Sequence, residues 1–570
     1  KEAGQMKTTP QILIDQYRAN GWWGDEKLCD WLDQAVAARP QQWALIDQPE
    51  RAAIAEGNPQ RLTFDDLAGK VSALSSQFYA AGLRAGDIVI VHLPNIAELA
   101  ITYFALDRLG VIISPVPVQY DLFELRHVAS EVNPAAYIST SHLKGEAFAE
   151  VRMPALEGVC PTLCFGQSVR NATSINLDDR SDHENWRAYT GSLDRSADDI
   201  LTICWTSGTT GQPKGVPRSH NHWRISALAT SSTADFTAED VMLNPFPLVN
   251  MAALGGFLFP WVMCQSTLVL HHPFDLSLFL KQLESERITY TIAAPTILTM
   301  LLNQRGLLDQ IDLSALRAIG SGGAPLSEWM VSTFQQDYNI IVANIFGSNE
   351  GLCLTSSGLD LPDPNERAQY FPRFGLQGRQ WNNQVSSMVK TRLVDLETRE
   401  VISDPGIQAE LEISGPSVFD GYWQAETTNR EVFSEDGFFR TGDVFEIPLD
   451  PDKSDYYRFV GRSKDIIIRG GMKISPDEID NLLAAHPALT SAAVVGYEDP
   501  VLGERIGVAA VAATDAELTL DIITGYLKEQ GLAIFKLPER LLVVDALPLN
   551  ATGKVLRREL KKLFTSEESS

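Results

Sequence analysis

The stretch Thr206-Ser207-Gly208-Thr209-Thr210-Gly211-Gln212-Pro213-Lys214-Gly215 follows directly on an apolar run, LTICW at 201–205. That run reads as a buried strand, so the loop leaves the end of a sheet. Glycines at 208, 211 and 215 let the backbone come close to a ligand. Ser207, Thr209 and Thr210 supply hydroxyls, and Lys214 supplies a cation. Successive backbone amides in such a turn make an anion-binding concavity, so a phosphate loop is expected. It is not a Walker A loop, because Pro213-Lys214-Gly215 stands where that pattern needs Gly-Lys-Ser/Thr. A flexible linker is the bland alternative, but linkers rarely sit tight against a buried strand. Lys214, Arg218, His220, His222 and Arg224 form a local positive island, with His222 and Arg224 expected as solvated charges at a helix start.

Outward from the loop, residues 61–83 read as one helix. Leu67, Val71, Leu74 and Phe78 recur at helical spacing, Thr63 and Asp66 form a capping box, and Gly82 ends it. Residues 87–93 read as a strand, and residues 96–109 as a helix stopped at Gly110. This alternation continues to residue 345 and predicts α/β layers with mostly parallel sheet. The acidic segment 171–199 reads as a surface connection and 351–383 as a long loop. Between 390 and 460 the pattern becomes short strands and turns. Beyond Arg462, strands at 465–469, 492–496, 507–513 and 540–544 and helices at 476–485 and 520–530 suggest a separate unit. At about 100 residues it is long enough to be its own domain. The expected fold class is α/β. A large N-terminal domain of layered α/β subdomains plus a β-rich subdomain spans 6–463, and a small mobile α+β C-terminal domain spans 464–566.

The 570 residues carry 47 Lys and Arg against 73 Asp and Glu, a formal charge of −26. So acidic a surface disfavours nucleic acid and anionic membranes as partners, but not ATP, which a few local groups can hold. The longest apolar stretch, 252–264, contains Gly255, Gly256 and Pro260 and is too short to span a bilayer. The six cysteines form no CxxC pair and read as reduced thiols, with no zinc site. No signal peptide is expected. Lys1 to Gln5 precede Met6 and read as an expression remnant, and a cytoplasmic monomer or homodimer is the expectation.

TSGTTGQPKG resembles the signature loop of the adenylate-forming superfamily, which includes acyl-CoA synthetases and aryl acid–AMP ligases. Further motifs follow in that family's order. Gly322-Gly323-Ala324-Pro325 resembles the turn along the adenine, and Phe346-Gly347-Ser348-Asn349-Glu350 the aromatic-Gly-x-Thr-Glu motif, with Asn349 where many members have Thr. Thr441-Gly442-Asp443 is similar to the ribose motif, and Gly461-Arg462-Ser463-Lys464-Asp465 to the hinge. Gly470-Gly471 resembles the loop lining the thiol tunnel, and Asn550-Ala551-Thr552-Gly553-Lys554 the C-terminal lysine motif.

The resemblance implies ATP, Mg²⁺ and a thiol, from coenzyme A or a phosphopantetheine carrier protein. It implies that Lys554, Glu350 and Thr209 are catalytic and that Glu350 also holds the metal. Nucleotide-binding roles fall to Thr206, Ser207, Gly208, Thr210, Gly211, Lys214, Gly322, Gly323, Ala324, Pro325, Phe346, Gly347, Asn349, Asp443 and Arg462. Lys464 would be the pivot, and Gly470 and Gly471 would line the thiol path.

The substrate is less legible. Val249 and Asn250 stand where many acyl-CoA synthetases have an aromatic-His pair. Asn250 is either a donor in the acid pocket or a helix cap. Asn250, Ala253 and Gly351 are the acyl-pocket candidates, with Met251 and Phe257 as pocket or core packing. A medium-sized fatty, alicyclic or aromatic acid is expected. His271-His272 reads as a surface turn. The first reading is an acid–CoA ligase; the alternative is an aryl acid–AMP ligase loading a carrier. LPNIAE at 93–98 and FGSNEG at 346–351 lean toward the second, PVPVQY at 115–120 and GGMKISPDEI at 470–479 toward the first. Lys214, Glu350, Asp443, Arg462 and Lys554 together disfavour a silent nucleotide-binding homologue, and the absence of a GxSxG elbow or an HExxH motif disfavours a hydrolase.

Overall fold

A computed structural model describes residues 7–179, 185–206, 213–351, 353–469, 472–513, 516–549 and 555–566. Two large sheets form the first part of the chain. One runs Lys214–Ser219, Ile200–Thr206, Ile112–Pro115, Ile88–His92, Ala136–Thr140, Thr162–Phe165, Ala172–Ser174. It is parallel except where Ile200–Thr206 meets Lys214–Ser219. The other runs Cys353–Ser356, Ile341–Gly347, Ala318–Gly322, Tyr290–Ile292, Val241–Asn244, Thr267–Leu270, Trp43–Ile46, Arg61–Thr63, with antiparallel strands only at its two edges. Parallel strands covered on both faces need apolar side chains throughout, which is why runs such as Ile200–Trp205 are buried without alternation.

The helix Phe64–Ala80 begins at the foreseen capping box: Thr63 Oγ1 accepts from the Asp66 amide, and Asp66 Oδ2 accepts from the Thr63 amide. Such a cap contributes about 1 kcal/mol. Residues 61–63, read as the first turn of that helix, instead form an edge strand on Trp43–Ile46. Gly82 and Gly110 end their helices at φ of +93° and +73°.

A third, antiparallel sheet runs Tyr370–Pro372, Tyr456–Arg462, Phe439–Glu446, Ala409–Ser414, Lys390–Val394, Val401–Ile402. The segment 351–383 is therefore not one long loop. It contains the strand Cys353–Ser356, the helix Pro364–Gln369 and the strand Tyr370–Pro372. Segment 171–199 likewise holds the edge strand Ala172–Ser174 and the short helix Trp186–Gly191.

The C-terminal unit has its own sheet, Met472–Ile474, Ile467–Arg469, Gly503–Ala512, Leu489–Asp499, with Arg540–Val543 added beside Gly503–Ala512. Helices Pro476–Leu483 and Leu520–Glu529 cover it through Ile479, Leu483, Ile523 and Leu527. The helix Arg557–Ser566, not foreseen, packs Leu560 and Phe564 against Tyr497 and Ala509. Among the described residues no helix is long and apolar enough to cross a membrane.

Candidate active site

The described ends of the phosphate loop lie opposite each other, because Thr206 pairs with Lys214 across the antiparallel ladder. His127 Nε2 donates to the Pro213 carbonyl at 2.8 Å and fixes the exit of the loop. Ser207, Gly208, Thr209, Thr210 and Gly211 lie outside the described residues, as do Gly470, Gly471 and Lys554. The flanks of the last two segments are described: Arg469 pairs with Met472, and Leu549 with Val555.

From Lys214 the site builds outward through one aromatic ring. The Lys214 ammonium stands 5.0 Å from the centre of the Tyr422 ring. Tyr422 Oη donates to Glu350 Oε1 at 2.8 Å. Glu350 follows the strand Ile341–Gly347, whose Ile345 lies beside Gly322 in the next strand. A Cβ at Gly322 would sit 1.9 Å from the Ile345 carbonyl oxygen, so no side chain fits there. Gly323 takes φ of +83°, and Ala324 is exposed beside it at the carboxyl end of that strand, ahead of the half-buried Pro325. Carboxyl ends of parallel strands are where open α/β sheets bind ligands.

Phe346 is half-buried, with its ring 5.0 Å from Phe445 and 6.1 Å from Phe459, and Gly347 beside it is exposed. Phe346 therefore joins the Ile341–Gly347 strand to the antiparallel sheet that holds Asp443. Asp443 is buried and pairs with Arg462 Nε at 3.1 Å across adjacent strands. Lys464 is exposed in the turn that follows. The structure thus brings together Lys214, Gly322, Phe346, Glu350, Asp443 and Arg462, which span much of the sequence.

Other expectations are corrected. His222, expected as a solvated charge, is buried, and so are Arg218 and His220. Burial pushes His220 down to about 4 and His222 well below its usual range, so both are neutral. Arg224 is half-buried and pairs with Glu26 at 3.2 Å. Burial also lowers Arg218 to about 10. Its guanidinium lies over Trp223 and donates to Ser226 Oγ and to the carbonyls of His222 and Asn349. Asn349, expected to face a phosphate, accepts from the Met251 amide at 2.7 Å and donates to the Trp205 carbonyl at 3.4 Å. It locks the Glu350 turn onto the strand that precedes the phosphate loop.

Asn250 takes the cap role, its Oδ1 accepting from the Ala253 amide at 3.4 Å. Ala253 and Phe257 are fully buried in the core. Gly351 is required: at φ of +117° a Cβ would stand 2.2 Å from the Ser417 carbonyl oxygen. His271 and His272 are buried rather than in a surface turn, because His271 bonds Gln282 on the following helix and the His272 carbonyl accepts from Gln48.

The segment beside the candidate site that sequence reasoning missed is Phe419–Trp423, which contacts Glu350, Lys214 and Gly215. The Phe419 amide donates to the Glu350 carbonyl and the Trp423 amide to the Gly215 carbonyl, both at 2.8 Å. Asp420 between them accepts from the hydroxyls of Thr8 and Thr9, and burial pushes its carboxyl up to about 6. Glycine before two aromatic residues also suits ordinary core packing, and nothing in the spacing ties Tyr422 to Glu350, 72 positions away.

Among the described residues no three or more His, Cys, Asp or Glu side chains converge as a metal cluster. A single carboxylate such as Glu350 suits Mg²⁺, which keeps waters and shares phosphate oxygens, better than a metal that needs a full protein cage.

This geometry belongs to an adenylate-forming architecture, and the comparisons agree. The AMP-binding enzyme model matches residues 32–423, and the AMP-binding enzyme C-terminal domain matches residues 478–554. The chain belongs to the AMP-binding enzyme family. It is 30% identical to the pyochelin synthase PchD of Pseudomonas aeruginosa over 98% of this chain and 96% of that protein. It is 27% identical to the medium-chain fatty-acid–CoA ligase of Escherichia coli over 97% of this chain and 93% of that one. The anthranilate CoA ligase AuaEII, solved with anthranoyl-AMP, shares the fold at a TM-score of 0.78 and 20% identity, over 96% of this chain and 98% of the other.

Proposed function

We propose that this chain uses ATP to activate a carboxylic acid as an acyl-adenylate, releasing pyrophosphate, and then passes the acyl group to a thiol as a thioester. The observation that carries this reading is the meeting of Lys214, Glu350 and the Asp443–Arg462 pair at strand ends, in a chain matched by both domains of the family.

A carboxylate is a poor electrophile. Its oxygen attacks the α-phosphorus, the bond to the bridging oxygen breaks, and pyrophosphate leaves with no proton required. Two anions must approach, so positioning and electrostatic stabilisation supply most of the acceleration. In this reading Thr206 to Lys214 hold the outer phosphates, with Thr209 nearest the chemistry. Gly322 to Pro325 and Phe346-Gly347 border the adenine, and Asp443 accepts from the ribose hydroxyls with Arg462 beside it. Lys554 meets both the acid and the α-phosphate. Glu350 would hold Mg²⁺, which offsets phosphate charge when bound.

The chain divides at 463/464 in this proposal, with Lys464 as pivot, so that one swing removes Lys554 and brings Gly470-Gly471 to the thiol path. The thiol sulfur then attacks the acyl carbon, AMP leaves, and the thiol proton passes to solvent. Asn250, Ala253 and Gly351 border the acid, a medium-sized fatty, alicyclic or aromatic one. Coenzyme A is the acceptor in the first reading. Similarity to a pyochelin synthase favours a second, in which an aryl acid is loaded onto a pantetheine carrier. The free thiols of Cys29, Cys160, Cys164, Cys204 and Cys264 fit a reducing compartment, and we assign the enzyme to the cytoplasm.

The test is acid-dependent ATP–pyrophosphate exchange across fatty, alicyclic and hydroxybenzoic acids. The best acid is then offered coenzyme A and, separately, a pantetheine carrier. One acid class should stand out; exchange with none of them overturns the reading.

A further inference from the structure

We propose that Tyr422 is a positioning residue that keeps the Lys214 ammonium and the Glu350 carboxylate apart, so that each stays available to its own part of the nucleotide. The inference rests on the nucleotide-binding reading above and extends it to a residue that carries no motif.

Lys214 and Glu350 carry opposite charges, and both meet the same tyrosine. Among the described residues neither makes an ion pair. Tyr422 stands between them and engages each differently. Its hydroxyl donates to Glu350 Oε1 at 2.8 Å, while its ring face receives the Lys214 ammonium 5.0 Å from the centroid. A charge-assisted hydrogen bond fixes the rotamer of the carboxylate, and a cation over an aromatic face is attracted without being neutralised.

The tyrosine is itself held from several directions. Its amide donates to Asn429 Oδ1 at 2.7 Å, and its carbonyl accepts from Asn429 Nδ2 at 3.0 Å. Gly421 before it takes φ of +136°, where a Cβ would stand 2.7 Å from Asn429 Nδ2. Phe419 packs against the ring at 4.9 Å, and Trp423 Nε1 donates to the Glu131 carbonyl at 3.1 Å. This clamp is independent of the tyrosine hydroxyl, so Tyr422→Phe should keep the fold and the ring while losing only the bond to Glu350.

The experiment is calorimetric binding of α,β-methylene-ATP, without acid, over a Mg²⁺ series. Tyr422→Phe should raise the Mg²⁺ concentration needed for half-maximal nucleotide binding roughly 10-fold, the size expected for one hydrogen bond to a charged group. Nucleotide affinity at saturating Mg²⁺ should change little. Tyr422→Leu, which also removes the ring, should weaken nucleotide binding even at saturating Mg²⁺. That second loss should vanish in a Lys214→Ala background, where no ammonium remains to be held off. A Mg²⁺ dependence unchanged in Tyr422→Phe, or a Tyr422→Leu loss that persists in full without Lys214, would overturn the proposal. Wild-type protein that binds no analogue at any Mg²⁺ concentration would instead overturn the nucleotide reading, and this inference with it.

Discussion

The neighbourhood of Glu350 and the unit that begins at Ile467 are built on opposite plans. Around Glu350, polar groups from distant parts of the chain are tied to one another and to backbone. Asn349 joins Met251 to Trp205, Arg218 reaches the Asn349 carbonyl, Tyr422 reaches Glu350, and Asp420 reaches Thr8 and Thr9. Among the described residues, the C-terminal unit makes most of its ties inside itself. Its core is its own, Arg557 pairs with Asp477 and Asp480, and Glu539 receives both Arg469 and Arg505. It meets the larger body along the chain at Arg462–Asp465 and where Ser475 Oγ donates to the Val460 carbonyl. A site that must hold a polyanion in one geometry gains from cross-linking. In the proposed function the C-terminal unit leaves and returns, a role that gains from cohesion within and few bonds outward.

The largest expected effect comes from Lys554, which lies outside the described residues and to which the proposed function gives the adenylation step. Lys554→Ala should lower the rate of adenylate formation on the order of 10²–10³-fold, the cost of losing one group aimed at developing charge, with little change in the KM for ATP. A matching rise in that KM would make Lys554 a nucleotide-holding residue instead.

Next comes the cohesion of the small unit. Arg557→Ala leaves the half-buried carboxylates of Asp477 and Asp480 without their cation, and each lost hydrogen bond between charged groups costs about 1.5–3 kcal/mol. Thermal unfolding should show a separate, earlier transition for the C-terminal unit while nucleotide binding by the larger body survives. A single transition that moves as one would mean that the two parts are not separately cohesive.

A smaller effect concerns pH. Asp420 has its carboxyl raised to about 6 by burial, against an unfolded value near 4. Its protonated form is therefore favoured by the fold, and ionising it removes stability as pH rises from about 4 to about 6. Asp420→Asn keeps an acceptor for Thr8 and Thr9 but carries no charge. Relative to wild type it should be stabilised more at pH 7.5 than at pH 4.5, by up to roughly 2–3 kcal/mol. A difference in melting temperature that is the same at both pH values would contradict this.

Legibility followed the same division. The C-terminal helices Pro476–Leu483 and Leu520–Glu529 are readable because their cues are local: Ser475 caps the first, and Ile479, Leu483, Ile523 and Leu527 keep helical spacing; the helix Arg557–Ser566 is the exception. In the larger body, strand Ile200–Thr206 and the Thr63–Asp66 cap were local too. What escaped depends on distant partners. Arg61–Thr63 is a strand only because Trp43–Ile46 lies beside it, and His271 is buried only because Gln282 receives it. Sequence motifs marked Lys214 and Glu350, but the ring between them comes from a segment with no signal of its own. The backbone partners of Asn349 escaped for a related reason: an amide side chain serves backbone as readily as phosphate, and nothing in the spacing brings the Met251 amide to it.

The division between a fixed site and a movable unit is tested most directly at Lys464, exposed in the turn between them. Lys464→Pro fixes φ at that one position. Acid-dependent pyrophosphate exchange and thioester formation should be measured on the same preparation. Exchange should stay near the wild-type rate while thioester formation collapses; equal loss of both, or of neither, would contradict a swing between two half-reactions.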